Sequence, residues 1–181
     1  MKKLWVLFVL VATAAFAEDE QKNVLAMETQ WRAENGEAMT LSKYAGQWYA
    51  LTFVYTSCAG TCPLTTAKLK RLAAALDKAG KPLPLVVVSL DPAHDTPEAL
   101  AAYRKRYGLE GAKRWRILVG DDAQLRALTM LLGFKYARNA ESGSISHDNT
   151  IYLVAPDGAV RTEMSSLDQP LEAFLAAVPA K

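Results

Sequence analysis

The chain alternates between two kinds of hydrophobic pattern. Trp48–Tyr55 and Leu85–Leu90 are nearly continuous runs of β-branched, aromatic and aliphatic residues. Runs of that length and composition predict strands buried on both faces. Between them, Leu69, Leu72, Ala73 and Leu76 recur at helical spacing, predicting an amphipathic helix from Pro63 to about Ala79. Thr96 and Pro97 open a second helix to about Tyr107, with Thr96 as N-cap and proline at the first helical position. Trp115–Val119 is a third strand. A third helix, capped by Asp121 or Asp122, presents Leu125, Leu128, Thr129 and Leu132 on one face and stops at Gly133. Residues 134–146 read as a polar loop. Thr150–Val154 and Ala159–Met164 flank Pro156-Asp157-Gly158 as a hairpin. Pro170 opens a last helix carrying Leu171, Phe174, Leu175 and Val178.

Ahead of all this, Thr29–Trp31 and Ala38–Leu41 surround Asn35-Gly36, a strong hairpin-turn signal. The predicted order is hairpin, β, α, β, α, β, α, β, β, α. It implies one α/β domain over 29–181, a mixed sheet with helices on both faces. Residues 18–28 carry no pattern and read as a mobile leader. Lys68, Lys70 and Arg71, like Arg104-Lys105-Arg106, read as solvated helix faces.

The first residues change the compartment. Lys2-Lys3, an apolar run from Leu4, and Ala15-Phe16-Ala17 form a secretory signal peptide over 1–17. The apolar run falls short of the roughly 20 residues that span a bilayer. A periplasmic protein, released after cleavage, is expected. Of the 21 basic residues two lie in this segment, so the remainder balances the 19 acidic ones. That balance does not favour a nucleic-acid partner, and a monomer is expected.

The chain has two cysteines, Cys58 and Cys62, five positions apart inclusively. They fall between a buried strand and a helix mouth, with Cys62 expected at the N-cap and Pro63 just inside. The partial positive charge of a helix N-terminus favours thiolate. Three uses fit this spacing: a structural disulfide, a redox pair, or a soft-metal site. The chain has two histidines, His94 and His147. His94 reads as solvated. His147 reaches the cysteine edge of the sheet only if the strand after it runs antiparallel. Two thiolates and one imidazole suit copper, since Cu(I) favours thiolate and Cu(II) accepts imidazole. A closed zinc site calls for four protein ligands. Asp91 and Asp95 read as turn and cap residues.

Three motifs in order resemble one family. They are Cys58-x-x-x-Cys62-Pro63 after an apolar strand, Ser89-Leu-Asp91-Pro-x-x-Asp95-Thr-Pro97 before a helix, and His147 ahead of Ile151-Tyr-Leu-Val-x-Pro-Asp-Gly158. They resemble the SCO/SenC copper chaperones over about residues 29–178. The resemblance implies a thioredoxin-like fold with an N-terminal hairpin extension. It implies Cys58, Cys62 and His147 as copper ligands, with Asp91 as an acidic residue just outside them. It implies delivery of copper to the dinuclear site of cytochrome c oxidase subunit II, or reduction of that site's cysteines. In the second case Cys58 and Cys62 would be the catalytic pair of an exported thiol–disulfide oxidoreductase. This chain departs from the family pattern at Ala59-Gly60, at His94 and at Asp148-Asn149.

Overall fold

The computed structural model describes residues 22–58 and 60–180. The predicted signal peptide, and residues 18–21 of the predicted leader, lie outside the described residues. The strands are β1 (Gln30–Ala33), β2 (Ala38–Thr40), β3 (Tyr49–Val54), β4 (Leu85–Ser89), β5 (Trp115–Val119), β6 (Tyr136–Arg138), β7 (Ile145–His147), β8 (Ile151–Val154) and β9 (Val160–Met164). The helices are α1 (Cys62–Lys78), α2 (Pro97–Arg106), α3 (Asp122–Leu132) and α4 (Glu172–Ala177).

Seven strands form one sheet in the order β2-β1-β5-β4-β3-β8-β9. The central three, β5, β4 and β3, are parallel, and β1 and β8 flank them antiparallel. Burial follows this order. Every residue of β3, β4 and β8 is buried, whereas β1 and β9 alternate inward and outward. The continuous apolar runs are therefore the covered middle of the sheet. Leu51 and Tyr152 pair across β3 and β8, and the Tyr152 hydroxyl donates to Leu132 O at the end of α3. Phe53 packs on Phe134, with ring centroids 4.3 Å apart.

The caps come from local chemistry. Thr96 accepts from Ala99 N–H. Asp121 and Gln124 form a reciprocal capping box, and Gly133 ends α3 at φ 69°. Cys62 lies one position further in than expected. Thr61 precedes the helix and Cys62 is its first residue. Proline at the second position costs no helical bond, because that N–H has no intrahelical partner either. The last helix also starts later, at Glu172 rather than Pro170.

Three expectations need correction. The loop of 134–146 contains a separate two-stranded sheet, β6 paired with β7, outside the main sheet. Its strands have three residues each and too few apolar positions to show a period; Asn139 makes the turn by accepting from Glu141 and Ser142 N–H. Residues 22–28 are held, not mobile. Val24 is fully buried, its N–H donates to Gly158 O, and Val160 N–H donates to Lys22 O. Gly158 takes φ 86°, and a Cβ there would come within 2.6 Å of Leu25 Cγ, so the turn admits this segment only because it is glycine.

Lys68 and Arg104 are not solvated. Lys68 is 2% exposed and its ammonium donates to the carbonyls of Ser166, Leu167 and Gln169. Arg104 pairs with Glu34 at 2.9 Å and donates to Trp115 O and Leu109 O, tying α2 to the segment after β1 and to β5. Charged residues at these depths survive because every buried donor finds an acceptor. A helical pattern read residue by residue does not reveal such acceptors, which come from loops far along the chain.

Candidate metal centre

The C-terminal ends of the parallel strands share one edge of the sheet. Tyr55 to Cys58 turn there after β3, with Cys58 N–H donating to Tyr55 O. The β4–α2 loop carries Asp91, His94 and Asp95 on the same edge. Because β8 runs antiparallel to β3, its start also faces that edge. His147, the last residue of β7, sits just before it. The condition for His147 to meet the cysteines is satisfied.

Cys58, Cys62 and His147 offer one ligand atom each, and those atoms lie within 4.8 Å of one another. Both cysteines are buried and neither is bonded to the other. His147 is half-buried, and its Nε2 lies 3.3 Å from Cys62 Sγ. His147 Nδ1 lies 2.6 Å from Asp148 O. A carbonyl only accepts, so Nδ1 carries a proton and the ring turns its Nε2 toward the sulfurs. Phe134 stacks on the ring at 6.2 Å and Tyr55 meets it edge-on at 5.9 Å.

The two sulfurs differ. Burial disfavours a charge on Cys58, but the Cys62 thiol and N–H, the Tyr55 hydroxyl and Gly60 N–H all hydrogen-bond to it. The balance holds the Cys58 thiol below the usual cysteine range. Burial pushes Cys62 well above that range, and its hydrogen bond to Cys58 adds to the effect. Of the metal-free pair Cys58 ionises first and Cys62 holds its proton longer.

The surrounding acids work through loops. Asp95 accepts from Thr56 N–H and hydroxyl and from the Ser89 hydroxyl, so it holds the cysteine turn. Asp91 is buried, and its Oδ1 accepts from His94 Nδ1 at 2.8 Å and Arg138 Nη2 at 2.6 Å. Its hydrogen-bond partners include none of Cys58, Cys62 and His147. Burial raises the Asp91 pKa, but these two donors outweigh it and hold the carboxyl below the usual range. His94 is exposed. Tyr55, Thr56 and Arg138 were not singled out from the sequence, and Asp95 was read there only as a turn and cap residue. No signal existed for Arg138, 47 residues from Asp91.

The molecule is thus a thioredoxin-like domain, a mixed sheet with helices, with two thiols and an imidazole converging at the carboxyl edge of its central strands. Comparison with known proteins gives the same class. The family model described as SCO1/SenC matches residues 17–178, and the chain belongs to the SCO1/SenC family. A Stutzerimonas stutzeri protein named for copper binding is 33% identical over 134 residues, 71% of this chain and 63% of that protein. The chain therefore spans less than two thirds of that relative's length. Among solved structures, BsSco, described as a member of the Sco family of cytochrome c oxidase assembly proteins, aligns with TM-score 0.75 at 22% identity. That alignment covers 88% of this chain and 94% of the other. Bradyrhizobium japonicum ScoI, solved with copper bound, aligns with TM-score 0.67 at 23% identity over 83% and 97%. At these identities the structural likeness establishes the fold. Among the described residues no helix is long and apolar enough to cross a membrane.

Proposed function

We propose that this protein is an exported copper carrier whose cargo is held by Cys58, Cys62 and His147. The observation that carries the reading is the convergence of His147 Nε2, Cys62 Sγ and Cys58 Sγ in one cluster. The donor set fits copper. Two thiolates satisfy Cu(I), and adding the imidazole makes Cu(II) acceptable. A closed zinc site would need a fourth ligand, and among the described residues no further His, Cys, Asp or Glu joins the cluster.

Loading releases the proton of Cys62, since only thiolates bind. Unloading proceeds by ligand exchange. A client's thiolate takes a position on the metal as one protein sulfur leaves and regains a proton. The family points to the dinuclear copper site of cytochrome c oxidase subunit II as the client. The signal-peptide pattern of residues 1–17 supports export, so in this reading the exchange takes place in the periplasm.

A second reading is favoured by the asymmetry of the thiols. A lowered Cys58 beside a protonated Cys62 is the arrangement of a thiol–disulfide oxidoreductase. Cys58 thiolate would attack a client disulfide, and Cys62, giving up its proton, would attack Cys58 Sγ of the mixed disulfide and expel the client's remaining sulfur. The client leaves as a dithiol while Cys58–Cys62 becomes a disulfide. The same pair also serves a carrier, which must be reduced before loading.

The two readings part at His147. Anaerobic titration of the reduced protein with Cu(I) and Cu(II), against competing chelators, is run on wild type and His147→Ala. The carrier is supported by one-to-one binding of both ions, with a thiolate-to-Cu(II) charge-transfer band that His147→Ala removes. Cu(I) binding and reaction with small disulfides should persist in the variant. Copper binding that ignores His147, together with rapid reduction of protein disulfides, would instead identify an oxidoreductase.

A further inference from the structure

The two halves of the cluster are held by different carboxylates of one loop. Asp95 fastens the cysteine turn through Thr56. Asp91, four residues earlier, fastens the β6–β7 hairpin through Arg138. Ser89 joins them, donating to Asp95 Oδ2 and accepting from Asp91 N–H. The β4–α2 loop is thus tied both to the cysteine turn and to the hairpin that ends in His147.

The hairpin needs such a tie. It is not hydrogen-bonded into the main sheet. Its base is held by Phe134 and by Thr65 on Asn149. Further out, Ile145 N–H donates to the Tyr55 hydroxyl at 3.3 Å. Arg138 pairs in register with Ile145, two residues before His147, and its other nitrogen donates to Gly143 O across the turn. Among the described residues Arg138–Asp91 is the only ion pair linking the hairpin to the rest of the molecule. Arg138 is 38% exposed, but Asp91 is only 4% exposed, so the pair is anchored at a fixed carboxylate.

We propose that the Arg138–Asp91 pair is the positioning device that presents His147 to the two sulfurs, and so governs acceptance of Cu(II) while leaving Cu(I) to the thiolates. The proposal rests on the copper-carrier reading and assigns positioning roles to two residues that hold no copper. Without Arg138 the hairpin keeps its base and the Ile145–Tyr55 contact and loses its ionic fastening. His147 Nε2 then spends less time at the sulfurs, and only the oxidation state that needs imidazole is affected.

The test compares Arg138→Ala, Arg138→Lys and, as a control of equal charge change nearby, the exposed Arg126→Ala. Each is titrated with Cu(I) and with Cu(II), and the amide hydrogen exchange of Asn139 and Asp148 is measured in the metal-free proteins. Arg138→Ala should weaken Cu(II) about 10-fold, the low end for loss of an outer partner. Cu(I) affinity should stay within about twofold, and exchange in the hairpin should quicken about fivefold. Lysine should restore most of both effects, and Arg126→Ala should match wild type. Equal weakening of both ions, unchanged Cu(II) affinity, or the same change in Arg126→Ala would overturn the proposal. If wild type itself shows no His147-dependent Cu(II) binding, the carrier reading fails. Hairpin exchange then decides the positioning role alone: unchanged exchange in Arg138→Ala refutes it, and quickened exchange that lysine restores sustains it.

Discussion

The cysteine side and the histidine side of the cluster are built in different ways. Cys58 and Cys62 bridge the most buried strand and the longest helix. Their places follow from the core, through Phe53, Leu69 and Leu72, all at most 1% exposed. His147 ends a two-stranded hairpin outside the main sheet, fastened by Ile145 in the core, by Phe134 and Tyr55 around the His147 ring, and by a few polar contacts. A hard-packed half supplies the thiolates that any copper ion needs. A lightly fastened half supplies the imidazole that only one oxidation state needs. The difference teaches that loading and ion preference can be separated in this molecule, because they reside on elements that can be loosened independently.

The largest effect should come from the thiolates. In the carrier reading, Cys58→Ser or Cys62→Ser removes a ligand to both ions. Cu(I) and Cu(II) affinities should each fall by more than the roughly 10–100-fold that loss of an outer partner costs. Chelator competition checks this; retention of tight Cu(I) by either variant would break the comparison.

Phe53→Ala tests whether the cysteine half depends on the core. It removes a fully buried ring that packs on Phe134. Unfolding in urea should show a loss of about 3–5 kcal/mol.

Asp95→Ala is the counterpart of the hairpin variants. It strips Thr56 and Ser89 of their acceptor and should cost about 1.5–3 kcal/mol, the usual worth of hydrogen bonds to a charged group. In copper titrations it should weaken both ions together, because it loosens the cysteine turn. Loss confined to Cu(II) would contradict the division drawn above.

The smallest effect is kinetic. In the reduced, metal-free protein Cys58 should alkylate before Cys62. Its rate should rise with pH through a midpoint below that of an ordinary cysteine near 8.5, because a lowered pKa leaves thiolate present at lower pH. Cys62 should react only at higher pH, its proton held by burial. Mass spectrometry of singly alkylated peptides reads the order; reaction at Cys62 first would reverse the roles assigned to the pair.

Much of this was legible in the chain because the signals are local. Thr96-Pro97, the Asp121 to Gln124 box and Gly133 mark helix ends within a few residues of themselves. Trp115–Val119 matched its predicted strand residue for residue. The β6–β7 hairpin was not legible, since Tyr136-Ala-Arg138 and Ile145-Ser-His147 are too short to show a period. Lys68 and Arg104 were misread because their acceptors come from distant loops.

The sequence by itself determined the ligand types, the spacing of Cys58 and Cys62 at a strand–helix junction, and the order of the elements. Those follow from residue chemistry and from periodicities that act over a few positions. Only the tertiary structure decided that His147, 85 residues beyond Cys62, arrives beside it. The antiparallel β8 turns the chain back to the same edge. Only the packed site decided which ring nitrogen faces the sulfurs and which sulfur ionises first. Those depend on Asp148 O, on Tyr55 and on burial, which exist as neighbours only once the sheet has closed.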